Sequence, residues 1–582
     1  MREAIAAVVL VILHFFFLLF FFRPALTTPD ANSYYVMTRL IATKGTTECR
    51  PESPLQYLGP HWKCLRDNAY YCSHAPGISV LCAPLFRSGG TGAALLLTPL
   101  LASFSLFLVF MIVRMWMGPR WGLPAAALMA VNPVSNEHAL FQDSHTAVCF
   151  FLLLGTYLLL KWKMKPRAEI AFFAGAVWGI IPTVRYAEVI FPVAAMIYLA
   201  LHIKTEKKAL FSILSFLAGM AVPIVPLLIR NQLVYGAFWK TGYMVTGEQH
   251  AFGWDYFTQY YPVYLQKMMS EGCAFILPLG FLGIVLLFFH HTTVKEGLLF
   301  LLLSVPTTIL YMAYYWPPDP QSMRFLLPTF FIYTITGFWM LRVLVGHDRR
   351  MFLGTVLTLL ALSAAWGIPL SLSALGHLKG TGSVLTDVTS MLEKNAEPGS
   401  ILIACDGISQ HVDFSGRWRL TEMKSVESLF SPEQKNSTSS PPFSSEILLR
   451  NREGRERYGN KSGDELMELF RRDVWKWAGE NGKVYLLLKK EQCSAFERHL
   501  AAGEGLEKID EIYIDLPSPP RRGGSHVKPP FPPAGSRSGD AMQRPPPEGP
   551  VSQPGPNFSL SPRLFDLSLD SEPLLLMRWK RK

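Results

Sequence analysis

Apolar residues in this 582-residue chain gather in long runs and seldom alternate with polar ones. The first run, Ala4 to Phe22, is interrupted only by His14. A helix crossing the hydrocarbon layer of a bilayer needs roughly 17–25 such residues. On that criterion the runs predict spans near 4–22, 91–113, 121–138, 144–161, 168–184, 186–203, 209–229, 273–290, 297–315, 325–341 and 351–371. The expected fold is a polytopic α-helical membrane protein of about 11 transmembrane helices. Pro124, Pro133, Pro182 and Pro192 interrupt the third, fifth and sixth spans. Breaks of this kind are tolerated where the freed backbone groups face protein or water. The first run is too long and too aromatic for a typical signal peptide and has no small-residue cleavage site near Arg23, so it reads as a retained span.

The polar segments orient these spans. Basic residues cluster at Lys161, Lys163, Lys165 and Arg167, at Lys204, Lys207 and Lys208, and at Arg342, Arg349 and Arg350, as cytoplasmic loops do. With the N-terminus inside, the opposite face holds loop 24–90, a turn near 136–146, Arg185, loop 230–272, segment 316–324 and everything after about 372. Within the first outer loop, 30–44 and 74–87 predict short interfacial helices. Tyr34, Tyr35, Met37, Leu40 and Ile41 give the first of these an apolar side suited to a membrane surface.

Beyond the last span the pattern changes. A helical stretch at 384–394 and strand-like runs at 400–405 and 483–490 predict a small extracytoplasmic α/β domain over 373–516. The insert 431–463 is polar and reads as a loop. Residues 517–582 form a Pro-rich tail; Pro, Gly, Ser and Arg dominate it as far as Asn557, a composition that supports no packed core, so it is expected to be disordered. The chain thus divides into a membrane domain over 1–372, the α/β domain and the tail.

Composition agrees with this picture. Charged residues make up 17% against about a quarter in soluble domains, while 50% are hydrophobic. A net charge of +11 lies in short loops and not on one basic face, which argues against nucleic-acid binding. The eight cysteines form no CxxC pair. Cys49, Cys64, Cys72 and Cys82 lie in the first outer loop, where one disulfide is compatible with an oxidising face; their spacings suit no common zinc site.

The topology gathers ionisable groups at one end of the spans: Asp30, His74, Asp143, His145, Arg185, Glu188, Arg230 and Arg324. Ionisable groups near membrane depth are functional candidates by default. Each also has a plainer account. Asp30 could cap a helix beginning near Ala31, Asp143 a helix at His145, and Arg185 or Arg324 could snorkel to headgroups. Taken together they suit a specific chemistry. Arginines and histidines can hold a lipid phosphate, and a carboxylate beside them can act as base or orient an attacking hydroxyl or amine.

The order of short motifs resembles the GT-C membrane glycosyltransferases. "PDANSYYVMTRLIATKG" is similar to their first-loop signature, and "SHAPGISVLCAPLF" to a Lys-Pro-Pro segment with His74 in place of the lysine. "NPVSNEHALFQDSHTAVCFFLLL" resembles the second acidic segment, and "GIIPTVRYAEVIFP" a hairpin bearing a basic residue. "RNQLVYGAFWKTGY" and "YYWPPDPQSMRFLLPTF" complete six ordered motifs over about 5–345. The family 39 type, with dolichyl-phosphate-mannose protein mannosyltransferases and the lipid A aminoarabinose transferase, is the nearest. The resemblance implies a GT-C-like bundle that inverts a sugar from a polyprenyl-phosphate donor on the non-cytoplasmic face. It places Asp30 and Asp143 in the catalytic roles, and Tyr34, His74, His145, Arg185, Arg230, Tyr243 and Arg324 in substrate binding. No cofactor or metal is expected. Partners are the lipid-linked donor, membrane lipids and an acceptor that the sequence leaves open. Asp30 lacks the adjacent acidic residue of many eukaryotic mannosyltransferases, which favours a bacterial cytoplasmic membrane with the site and α/β domain on its outer side. A lipid-linked-sugar flippase or a non-catalytic scaffold are the alternatives; the charges at span ends and the lack of an internal repeat disfavour the former.

Overall fold

The computed structural model describes residues 2–581 apart from 67, 203–208, 290, 316–319, 406, 423–462, 481, 499 and 514–572. α1 (Arg2–Phe21) and α2 (Pro29–Lys44) open the chain. In a small sheet, β1 (Glu48–Cys49) and β2 (Trp62–Arg66) both run antiparallel to the central β3 (Ala69–Cys72). There follow α3 (Gly77–Leu95), α4 (Leu97–Met117), α5 (Pro119–Ala130), α6 (Pro133–Leu140), α7 (Ser144–Met164), α8 (Ala168–Val184), α9 (Ile190–Ala200) and α10 (Ala209–Tyr235). After α11 (Gly242–Thr246) and α12 (Trp254–Lys267) come α13 (Ile276–Phe289), α14 (Val294–Met312), α15 (Leu327–Val345) and α16 (Arg349–Asn395).

Among the described residues, seven helices (α1, α4, α7, α10, α14, α15 and α16) are long and apolar enough to cross a membrane. The segments Trp254–Gly272 and Ile276–Phe289, bent by 108°, make an eighth if taken as one span, and α8 and α9 are shorter apolar helices. The chain is a multi-pass helical membrane protein. Two expected spans are redrawn. Run 91–113 is divided at Leu96: its first residues form the end of α3, after a kink at Gly89 and Gly90, and the rest lie in α4. Run 121–138 is two helices: Asn132 accepts from Ser135 N at 2.9 Å and Pro133 opens α6. The expected interfacial helices 30–44 and 74–87 correspond to α2 and α3.

Inside the bundle a buried polar network ties helices together. His14 meets Ser103 Oγ and Asn136 Oδ1, each at 2.9 Å, and Asn136 Nδ2 donates to Ser371 Oγ at 3.1 Å. These contacts join α1, α4, α6 and α16 where water offers no alternative partner. At 47 residues α16 spans about 70 Å, more than twice the hydrocarbon thickness. The expected last span and the helical stretch 384–394 are therefore one rod, which carries the chain out to a second sheet.

That sheet contains β4 (Ile401–Ala404), β5 (Arg419–Glu422), β6 (Val484–Lys489), β7 (Glu504–Ile512) and β8 (Leu574–Arg581) in the order β5-β4-β6-β8-β7. Helices α17 (Gly463–Ala478) and α18 (Lys490–Glu497) flank β6 in sequence. Strands β4, β5 and β6 are parallel; β8 is antiparallel to β6 and β7. The placement of β8 corrects one expectation. The composition of 517–582 predicts a disordered tail, yet its last residues pair on both sides and bury Leu574, Leu576 and Trp579. "LLLMRWKR" is a short apolar run fit for an inner strand, outside the Pro-rich composition that governs 517–557. The polar insert 431–463 and the remainder of the tail lie almost wholly outside the described residues. Among the described residues Cys49, Cys72 and Cys82 form no disulfide.

Trp579 packs edge-on between Trp475 and Phe496, with ring centroids 5.1 Å from each. Trp579→Ala is expected to destabilise the C-terminal sheet by about 3–5 kcal/mol. Limited proteolysis across a temperature series should then cut this domain at lower temperature while the membrane helices stay intact. An unchanged cleavage temperature would show that β8 is dispensable.

Candidate functional site

α2 begins in a way that leaves an acidic side chain unused by the helix. Thr28, not Asp30, is the cap: its Oγ1 accepts from Ala31 N at 3.0 Å, and Pro29 takes the first helical position. Asp30 thus sits in the first turn, where the free amide groups favour negative charge. At the far end Gly45, with φ +67°, closes the helix by donating to Ile41 O at 3.1 Å. The C-terminal domain grips the same turn. Asn32 Nδ2 donates to Gln410 O and Val412 O at 2.7 and 3.0 Å, His411 Nδ1 to Leu26 O at 2.6 Å, and Arg39 pairs with Asp413 at 2.6 Å.

Three cationic or imidazole groups converge on Asp30. His61 Nε2 is 2.9 Å and His74 Nε2 3.5 Å from Oδ1, while Arg324 Nη2 is 3.3 Å from Oδ2. Strand pairing brings the histidines together: Trp62 lies opposite Cys72, Ser73 N donates to His61 O at 2.8 Å, and the two rings stand 4.4 Å apart. Tyr34, one helical turn after Asp30, stacks on His74 at 4.8 Å and donates to Ser144 Oγ at 3.1 Å. Tyr243 approaches the His74 ring edge-on at 6.4 Å. Gly242 permits that approach, because a Cβ there would lie 2.0 Å from Ser73 O.

The electrostatics follow from this company. Burial pushes the Asp30 carboxyl upward, but the His61 hydrogen bond, the His74 ring and the Arg324 charge outweigh it and hold it well below the usual carboxylate range. Asp30 is therefore ionised at neutral pH. Burial first, and then the neighbouring His61, push His74 down to about 4 against the pull of Asp30. At neutral pH His74 is an uncharged ring.

A second group adjoins the first. Arg185, buried between α8 and α9, donates from Nη2 to Tyr311 OH at 3.1 Å, lies 2.6 Å from a His145 ring nitrogen and pairs through Nε with Glu188 at 3.2 Å. Tyr311 OH donates to Glu188 Oε1 at 3.0 Å. Phe325 joins the two groups. The guanidinium carbons of Arg185 and Arg324 lie 5.1 and 5.0 Å from its ring centre, Tyr311 stacks on it at 5.0 Å, and His145 meets it edge-on at 5.4 Å.

Two further expected residues stand farther back. Asp143 caps α7, accepting from His145 N at 3.0 Å with Oδ1 and facing His138 Nδ1 at 3.3 Å with Oδ2. Both its oxygens hold the α6–α7 turn in place. Arg230 lies against Thr47, Tyr186 and Tyr235 at 3.3, 3.4 and 3.5 Å, and reaches the cluster through the Tyr186 ring, which contacts Tyr243 at 5.6 Å.

Residues 75–229 match the family model described as dolichyl-phosphate-mannose-protein mannosyltransferase. Comparison with curated protein sequences finds no match. Among solved structures, ArnT from Cupriavidus metallidurans bound to undecaprenyl phosphate superposes with a TM-score of 0.58 at 10% identity, covering 87% of this chain and 96% of that one. Its apo state gives 0.57 at 11% identity, covering 85% and 94%. The fold is that of the GT-C glycosyltransferases. An Archaeoglobus fulgidus oligosaccharyltransferase in the apo form is a looser likeness, with a TM-score of 0.47 at 13% identity over 86% of this chain and 70% of that one.

Within this GT-C frame, Asp30, Tyr34, His74, Tyr243 and Arg324 form one contact set, and His145 and Arg185 adjoin it through Phe325. Asp143 and Arg230 support these sets without touching Asp30 in any contact among the described residues. Sequence reasoning missed His61, which makes the shortest contact to Asp30. It lies in 46–72, a stretch without periodicity or recognisable motif, and only the β2–β3 register reveals where its ring goes. Tyr311 and Phe325 were read as span residues; only packing shows that they bridge the two arginines.

Gly242→Ala is expected to lower the thermal unfolding temperature more than Gly45→Ala. The first must displace the Ser73 backbone, an overpacking cost of about 1–3 kcal/mol, while the second meets no atom within 4 Å and costs about 1 kcal/mol of backbone strain. Equal shifts would remove the close packing of Gly242 on the His74 segment.

Proposed function

We propose that this protein transfers a sugar from a polyprenyl-phosphate donor to an acceptor, with Asp30 as the catalytic carboxylate. The observation that carries the reading is an ionised aspartate beside buried arginines that still have donors to give. Arg324 Nε and Arg230 Nη2 are buried and donate no hydrogen bond within the described residues, while Arg185 Nε is taken by Glu188 at 3.2 Å. Undonated guanidinium groups at the end of a membrane bundle suit a phosphate whose lipid tail stays in the bilayer. The ArnT structure with undecaprenyl phosphate and the mannosyltransferase family match over 75–229 support the same substrate class.

In the proposed reaction an acceptor hydroxyl or amine lies against Asp30, which takes its proton as the new bond forms to the anomeric carbon. The bond from that carbon to the phosphate oxygen breaks on the opposite side, so the configuration inverts. The departing lipid phosphate keeps the electron pair and needs charge stabilisation, not protonation. Arg324 and Arg185 supply it from fixed positions against Phe325. Asp143 positions His145 by holding the start of α7. Tyr34, Tyr243 and neutral His74 line the space where the sugar and acceptor meet.

The face follows from charge. α7 runs from Ser144 beside the site to Lys161 and Lys163 at its other end, and α15 from the residues after Arg324 to Arg342. The basic clusters therefore lie at the ends away from Asp30, which favours a non-cytoplasmic site. The absence of an acidic residue next to Asp30 supports a bacterial cytoplasmic membrane.

Cells lacking the gene are expected to accumulate a polyprenyl-phosphate sugar in lipid mass spectra. A wild-type copy should clear it, whereas Asp30→Asn, inserted at equal level, should reduce clearance about 100-fold or more. Clearance at the wild-type rate by that variant would end the catalytic assignment. Arg324→Ala should chiefly weaken binding of the lipid phosphate, measured with undecaprenyl phosphate on purified protein; unchanged affinity would remove its phosphate role.

A further inference from the structure

The Asp30 cluster has a property that sugar transfer does not require. Asp30, His61 and His74 each present a ligand atom, and these atoms all lie within 4.8 Å of one another. Two imidazoles and one carboxylate form a three-ligand set of the type that zinc takes when one position is left open. With bonds of about 2.0–2.2 Å, the donor atoms of a tetrahedral zinc stand about 3.3 Å apart. The separations from Asp30 Oδ1 are 2.9 Å to His61 and 3.5 Å to His74.

A second observation points the same way. His74 is 92% buried by its 8% exposure; among the described residues its Nδ1 has no hydrogen-bond partner, and its Nε2 meets only Asp30 Oδ1, at a long 3.5 Å. A buried polar atom left without a partner costs about 1–3 kcal/mol unless something else meets it. Its Nε2 is aimed at the Asp30 oxygen that His61 also faces. The Tyr34 ring stacked on one side and Tyr243 at the edge hold it in that orientation. Arg324 faces the other carboxylate oxygen, so Oδ1 remains available to a cation. Imidazole with carboxylate favours zinc, cobalt or nickel over magnesium or calcium.

We infer that Asp30 Oδ1, His61 Nε2 and His74 Nε2 form a binding site for a divalent transition-metal ion of the zinc class. His61 comes from the β2 end of the small first-loop sheet and His74 from the segment leading into α3, so the ion would tie the sheet to the first turn of α2. On binding, zinc takes the place of the proton at His61 Nε2, and the neutral imidazole carries its one proton on Nδ1 instead. The inference departs from the sequence-based expectation of no metal. That expectation rested on the absence of a carboxylate cluster, and this site has a single carboxylate.

The test uses the full chain purified in detergent and stripped with a chelator. Zinc chloride is added, excess is removed, and bound zinc is measured by atomic emission. About one zinc per chain is expected, and X-ray absorption of the loaded protein should show two imidazoles with oxygen in the remaining positions. Background zinc in the wild type, or a thiolate-rich ligand set, overturns the site. His61→Gln and His74→Gln should each reduce bound zinc at least tenfold, and His347→Ala, far along the chain and exposed, should leave it unchanged. Retention of zinc by both Gln variants overturns the assignment. None of these measurements involves a sugar. Zinc binding without transfer would count against the proposed reaction alone, and transfer by a chain that binds no zinc would count against the metal site alone.

Discussion

An ionised carboxylate near the end of a membrane bundle is unstable unless opposite charge and hydrogen-bond donors surround it, and most of the local architecture here serves Asp30 in that way. Arg324 faces one oxygen and His61 and His74 the other. Each partner arrives from a different part of the chain: the small first-loop sheet, the segment before α3, and the turn before α15. Thr28 takes over the capping of α2, which leaves the carboxylate free to face them. The arrangement therefore needs both the bundle and the first-loop sheet to be in place before the charge is satisfied.

The C-terminal domain belongs to the same constraint. Its loop 410–413 holds the first turns of α2 through Asn32, Leu26 and Arg39, while Tyr57 N and Leu55 O bond to Leu420 and Thr421 of β5. The first-loop insert is thus clamped between the bundle and the outer sheet. At the other end of the helices the chemistry is different: Glu296 is fully buried and paired with Lys163 at 2.7 Å and Tyr198 at 2.7 Å. What that end leaves over is an acceptor, the buried Glu296 Oε2, whereas Arg324 beside Asp30 keeps an undonated N–H.

Much of this was legible from the chain because membrane helices announce themselves through long apolar runs. The runs located most of the bundle, and Gly45 marked the end of α2 through a left-handed backbone that glycine adopts readily. Asp30, His74, Arg185 and Arg324 were found because charges beside apolar runs are conspicuous. His61 was not, since its position depends on the register of two short strands whose sequence lacks alternation. The plainer account of Asp30 as the cap of α2 is removed by the structure: both Thr28 and Asp30 are good caps, and only backbone geometry separates them. β8 was lost in a tail judged by its average composition, whereas Pro133 marked in the sequence the interruption that separates α5 from α6.

The central claim is that the Asp30 end of the bundle receives a lipid phosphate. The most direct measurement is an electron cryo-microscopy structure of the protein with undecaprenyl phosphate. The account predicts phosphate density within hydrogen-bond reach of Arg324 or Arg185, with the Asp30 carboxylate open to the space beside it. Density at the Lys163–Glu296 end, or none near either arginine at saturating lipid, would contradict it.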